Sequence, residues 1–278
     1  MSAPHHTRAP TGQLSTYTKE RVADERFAHD VYRKGQGPAV IVMTEMPGIS
    51  PMVVGFADRL VALGLTAVLP DLFGEAGRDP VAGSKASTAV YGLRSMAGGC
   101  ISKEFTTWAV GRSSPIVTWL RALAAREHER CGGPGVGAVG MCFTGGFALA
   151  MAVDERIVAP VLSQPSLPFG ATSSRKSTID CDAADLDIVA NRCAAGLRVL
   201  GLRFEGDRFV PPERFAFLRQ RLGDGFVGVE LAQRDGNPDD AFRTHHSVLT
   251  SALVDEPGEP TRAALDQVLE LFRTKLLP

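Results

Sequence analysis

The chain has no marked charge imbalance, no long apolar run and no paired-cysteine motif. Its 30 basic residues are balanced by 31 acidic ones, so no strong field draws it to nucleic acid or to an anionic membrane surface. Its longest apolar stretches, about eight residues, fall far short of the roughly 20 needed to cross a bilayer. The opening residues MSAPHHTRAPTGQ contain nothing resembling the apolar segment of a secretory leader. The five cysteines, at 100, 131, 142, 181 and 193, are odd in number and form no C-x-x-C pair. That argues against a disulfide framework and a paired-cysteine zinc site, and a reduced, cytoplasmic compartment is expected. No G-x-S-x-G occurs, so the serine form of the strand-to-helix nucleophile motif is missing. Hydrophobic residues make up 44% of the 278, enough for a large core and a small-molecule site.

Short, continuous apolar runs alternate with helical patterns. Residues 39–43 (AVIVM), 65–69 (LTAVL), 135–141, 156–162, 199–204 and 226–231 read as strands buried on both faces, preceded by an early strand near 27–32. Helical spacing is expected over 51–63, opened by Pro51, then over 105–129 with a bend at Pro115. Further helices are expected over 144–154, 183–195, 212–222 and 261–277. The Gly-rich stretch 72–104 reads as an insertion with a short helix at 86–95, and 165–182 as loop. This order predicts an α/β fold with a mainly parallel central sheet and helices on both faces. A flexible arm is expected over residues 1–25 and a single domain over 26–278.

The most informative segment is Gly137-Ala138-Val139-Gly140-Met141-Cys142-Phe143-Thr144-Gly145-Gly146. A buried strand ends at Cys142 and a helix begins at once. Such a bend lifts the side chain out of the sheet and needs small neighbours, which Gly140 and Gly145 supply. The helix N-terminus favours a thiolate or a developing oxyanion. Most cysteines are inert core residues, but this position makes Cys142 a candidate nucleophile.

A nucleophile of this kind needs a base and a group to orient it, in the chain order nucleophile, acid, histidine. Downstream, the strand at 199–204 runs into Glu205-Gly206-Asp207-Arg208-Phe209-Val210-Pro211, a loop at the end of the sheet where sites form. Asp207 is the favoured acid and Glu205 its competitor. Of six histidines, only His245 and His246 lie between the last strand and the last helix. The pair alone is poor evidence for a metal.

On these residues the chain resembles the dienelactone hydrolase (carboxymethylenebutenolidase) family of α/β-hydrolases, over roughly 27–275. The family's G-x-C-x-G-G elbow is matched by Gly140-Met141-Cys142-Phe143-Thr144-Gly145, its D-x-x-V-P by Asp207 to Pro211, and its H-S-F by His246-Ser247-Val248. That register selects His246 over His245. The resemblance implies an α/β-hydrolase fold and a Cys142–His246–Asp207 triad that cleaves an ester or lactone. It also implies that Glu45, after the first core strand, meets the resting thiol and helps activate it. The backbone N–H groups of Met46 and Phe143 are the expected oxyanion hole.

Two departures stand out. Thr144 replaces the first glycine after the elbow, which predicts a slightly altered turn. Thr250 stands four residues after the histidine, where dienelactone-cleaving members place an arginine on the substrate carboxylate. Lys103, Arg94 or Arg112 are candidate replacements, though a solvated surface charge is the favoured reading of each. The expected partner is a small-molecule ester or lactone, with no cofactor, metal, nucleic acid or membrane, in a monomer or small homo-oligomer. A non-catalytic hydrolase-like binding protein is the alternative. A redox-sensing thiol is less favoured, because no second cysteine lies near Cys142 in sequence.

Overall fold

A computed structural model describes residues 9–82, 90–92, 102–105, 110–170, 172–240 and 244–278. Eight strands form one sheet in the order β1-β2-β4-β3-β5-β6-β7-β8. They are β1 Thr18–Ala23, β2 Ala28–Lys34, β3 Ala39–Met43, β4 Thr66–Pro70, β5 Val136–Met141, β6 Ile157–Ser163, β7 Val199–Phe204 and β8 Phe226–Leu231. Pairing is antiparallel from β1 to β2 and from β2 to β4, and parallel across every other neighbouring pair. Among the described residues, the α-helices of four residues or more are α1 Pro51–Ala62, α2 Ile116–Cys131, α3 Gly145–Met151, α4 Ser173–Lys176, α5 Ala183–Ala194, α6 Pro212–Leu222 and α7 Pro260–Leu276. This is the α/β-hydrolase fold.

The continuous apolar runs are explained by two cores, one on each face. In β3, Ala39, Ile41 and Met43 join a cluster with α2, α3, α5 and α6. The alternate residues Val40 and Val42 join a second cluster with α1 and α7. Successive side chains of a strand point to opposite faces, so a strand covered on both sides carries no polar alternation.

Three expectations need correction. The stretch taken as a flexible arm contains β1, which the sequence conceals because only Val22 of its six residues is buried. Its charged side chains pair along the sheet edge instead, with Lys19 Nζ at 2.7 Å from Asp30. The arm's first eight residues lie outside the described ones. The helix expected over 105–129 starts at Ile116: Pro115 caps it rather than bending it, as suits a residue with a fixed φ and no N–H to satisfy. Of that prediction, 110–114 are non-helical and 106–109 lie outside the described residues. So does most of the short helix expected at 86–95, of which 90–92 are helical. The loop expected over 165–182 contains the one-turn helix α4.

Candidate functional site

The site forms at the C-terminal ends of β3, β5, β6 and β7. At the end of β5, Cys142 takes φ 56°, a left-handed conformation that is uncommon outside glycine. A short 3-10 turn, Cys142–Thr144, leads into α3. A side chain at Gly140 would put its Cβ 2.1 Å from the Thr144 carbonyl oxygen, and one at Gly145 would come 2.4 Å from Pro165 Cα. Both glycines are therefore demanded by close approach. Thr144 pins the turn. Its hydroxyl accepts from Met141 N at 2.9 Å and donates to Met43 O at 2.9 Å, which ties the elbow to the end of β3.

The Asp207 carboxylate is buried at the end of β7. Its Oδ2 lies 2.6 Å from His246 Nδ1, and its Oδ1 accepts the Phe209 N–H at 2.9 Å, which fixes the carboxylate plane. Glu205, the competing acid, is exposed. The His246 side chain is 14% exposed. Its Nε2 is buried and has no hydrogen-bond partner among the described residues. Burial opposes the imidazolium. Interactions with Cys142 and Asp207 overcome it and hold the ring well above the ordinary histidine value. His245 sits apart, with Nδ1 at 3.3 Å from Asp240 and its backbone N–H on Gln233 Oε1.

Glu45 follows β3 by two residues and is buried. Its carboxylate accepts from Gln164 Nε2 at 3.0 Å and from the Thr250 hydroxyl, not from the Cys142 thiol. Burial pushes it above the usual carboxylate range, against hydrogen bonds from Ser247 and Thr250 and the nearby charge of His246. Thr250, at the family's arginine position, is thus buried and committed to Glu45. The turn Glu45–Gly48 closes with Gly48 N on Glu45 O at 2.9 Å and contains a cis Met46–Pro47 bond. The Phe143 N–H lies in the first helical turn, where N–H groups have no intrahelical acceptor. The Phe143 ring meets those of Phe73, Phe105, Phe147 and Phe169 at centroid distances of 5.8, 5.2, 6.3 and 6.5 Å. Lys103 and Arg112 are exposed, and Arg94 lies outside the described residues. Among the described residues no group of histidines, cysteines and carboxylates could hold a metal, and no helix is long and apolar enough to cross a membrane.

The family model for the dienelactone hydrolase family matches residues 28–193. The chain belongs to the dienelactone hydrolase family. As a member it is a hydrolase, and solved structures of the same fold accompany it. A putative dienelactone hydrolase from Klebsiella pneumoniae subsp. pneumoniae MGH 78578 is 16% identical, with a TM-score of 0.56 over 92% of this chain and 97% of that one. A dienelactone hydrolase-like promiscuous phosphotriesterase from metagenomic libraries is 17% identical, with a TM-score of 0.58 over 94% and 98%. A cold-adapted esterase from an Arctic intertidal metagenomic library is 14% identical, with a TM-score of 0.53 over 93% and 92%. No curated protein matches the sequence.

Sequence reasoning missed several residues of this dienelactone hydrolase family site. Gln164 and Ser166, in the Ser163-Gln164-Pro165-Ser166 turn after β6, are both fully buried. Their one signal was their place at the C-terminal end of a parallel strand, where sites form in open sheets. Arg214 on α6 is also buried. It donates to the carbonyls of Thr178, Pro165, Pro168 and Arg175 at 2.8, 2.7, 2.6 and 3.0 Å, fastening the loop that carries Ser166.

Proposed function

We propose that this chain hydrolyses small-molecule esters or lactones with Cys142 as nucleophile, His246 as proton carrier and Asp207 as its orienter. The observation that carries the reading is the 2.6 Å contact between Asp207 Oδ2 and His246 Nδ1, beside a cysteine held in a left-handed elbow. With Nδ1 committed to Asp207, Nε2 is the nitrogen free to exchange a proton with sulfur and substrate.

The reaction starts from thiolate and imidazolium. Sγ attacks the ester carbonyl carbon, and the oxygen becomes an oxyanion against the N–H groups of Met46 and Phe143. The intermediate collapses, the C–O bond breaks, and His246 Nε2–H gives its proton to the departing alkoxide. Neutral His246 then takes a proton from water as the hydroxide adds to the thioester. The second intermediate expels the thiolate and releases the acid, restoring the starting pair. Losing one oxyanion donor typically costs ~3 kcal/mol of transition-state stabilisation. Glu45 acts through position in this scheme: it precedes Met46, and its carboxyl lies within electrostatic reach of His246. No step calls for a cofactor. The free Cys131, Cys142, Cys181 and Cys193 suit a reducing, cytoplasmic setting.

The test is hydrolysis of an activated ester and a simple lactone by the parent, Cys142→Ala, His246→Ala and Asp207→Asn. Loss of turnover in the first two and a marked fall in the third are expected, with a thioester-linked acyl group on the parent detectable by mass. Parent-like rates in Cys142→Ala would overturn the reading and leave the binding-protein alternative.

A further inference from the structure

Among the described residues, two that are not glycine have a left-handed backbone: Cys142, at φ 56°, and Gln164, at φ 37°. They follow neighbouring parallel strands, β5 and β6, whose last residues Met141 and Ser163 are paired. Such conformations persist where the surroundings over-determine them, and they cluster at functional sites. Gln164 is held at several points. Its N–H donates to Leu202 O at 2.8 Å, and its Nε2 donates to Glu45. Its Oε1 accepts from the Ser163 hydroxyl and from Val248 N at 3.3 Å. The turn that Gln164 begins brings Ser166 back onto the elbow in two places. Ser166 N donates to Cys142 O at 3.0 Å, and Ser166 Oγ lies 3.5 Å from Cys142 Sγ. Ser166 is wholly buried.

We propose that Ser166 is a catalytic residue, whose hydroxyl donates a hydrogen bond to the Cys142 sulfur in its thiolate form. This rests on Cys142 being the nucleophile. A thiolate has no proton to give, so within this pair only the hydroxyl can donate. A donor to the charged form favours that form, the more so where water is excluded. The sulfur then lies between two donors, Ser166 Oγ–H and the His246 imidazolium. This orients its lone pairs and keeps it charged until a carbonyl arrives.

The backbone bond from Ser166 to Cys142 survives any side-chain change, so Ser166→Ala removes the hydroxyl alone. The experiment follows alkylation of the full chain by iodoacetamide from pH 5 to 9, with thermal unfolding alongside and Cys142→Ala to identify the labelled thiol. Ser166→Ala is expected to slow labelling at low pH about tenfold, the size of one hydrogen bond to a charged group. The midpoint should move up, with ester turnover falling in parallel and the unfolding temperature held. Ser166→Gly, smaller still, should do the same. A parent-like midpoint in both variants overturns the proposal. Faster labelling overturns it too, since the hydroxyl would then be restraining a neutral thiol. A Cys142→Ala variant that keeps full turnover instead removes the nucleophile reading beneath it, a separate result from either.

Discussion

Asp207 Oδ2 meets His246 Nδ1 at 2.6 Å, and both Asp207 and Cys142 raise the titration of the same ring. The imidazole thus sits under the influence of two acidic side chains within a mostly buried setting. Each favours the charged ring, and burial disfavours it. Removing either side chain should therefore lower the ring's titration. In Cys142→Ala and in Asp207→Asn, the His246 resonance, followed by NMR through a pH series, is expected to move down by roughly one unit or more. An unmoved resonance in Cys142→Ala would show that sulfur and ring do not communicate.

The Thr250 hydroxyl donates to Glu45 and the residue is buried, so this position offers no cation to a substrate. Thr250→Arg is expected to destabilise the fold by about 3 kcal/mol, by overpacking and by burying a charge with no prepared partner. It should not create a preference for carboxylated lactones. The measurement is denaturant unfolding together with kcat/KM on an ester pair with and without a nearby carboxylate. A folded variant with a gained preference for the carboxylated member would contradict this.

Phe209 is 52% exposed, and its ring lies 5.5 Å from that of His246, nearly edge to face. If His246 carries the proton as proposed, an exposed aromatic beside it would offer apolar contact to a bound ester. Phe209→Ala is expected to lower kcat/KM for aryl esters about tenfold, in line with an aromatic contact of ~1 kcal/mol plus lost burial. It should change acetate esters much less. An equal loss on both would instead trace the effect to support of His246.

The fold was legible where burial imposes a strong pattern. The run at 39–43 and the helix opened by Pro51 stand where the sequence places them, because both faces of β3 and one face of α1 have to be apolar. β1 was not legible, since it is stabilised by edge pairing and charge contacts that leave no periodic trace. Cys142 and Asp207 could be singled out because each lies within three residues of a strand's end, and His246 because it falls between the last strand and the last helix. The linkage of Glu45 to Gln164 and Thr250 could not, because it joins three segments more than 80 residues apart. Nothing in local composition announces such a meeting. Arg214 was equally hidden, as an arginine on a helix ordinarily faces water.

Arg214 has a measurable consequence of that burial. Its guanidinium spans carbonyls from both sides of the Ser166-bearing loop and, through Phe209 O at 3.4 Å, the loop of Asp207. Burial lowers its own pKa to about 10, so it remains charged at neutral pH. Arg214→Met leaves several buried carbonyls without donors, each costing ~1 kcal/mol or more. A loss of at least about 3 kcal/mol in urea unfolding is expected. Arg214→Lys keeps the charge but lacks the planar fork and should recover less than half of it. Full recovery by lysine would mean that charge rather than geometry holds the loop.

Asp180 gives a pH dependence of known sign. It is buried beside α3, its Oδ2 accepts from Ser114 Oγ at 2.8 Å, and its Oδ1 has no hydrogen-bond partner among the described residues. Burial pushes its pKa from the ordinary 3.8 up to about 8. Between those values the folded protein keeps a proton that the unfolded chain has released. The contribution is therefore fully present below about pH 4 and is lost progressively as pH rises to about 8. Asp180→Asn, which cannot ionise, should have little effect at pH 4. It should stabilise the protein by about 5 kcal/mol at pH 8, by the linkage relation. Unfolding free energies of both proteins across pH 4–8 decide the matter, because a difference that stays flat with pH would mean that Asp180 is ionised in the folded state throughout.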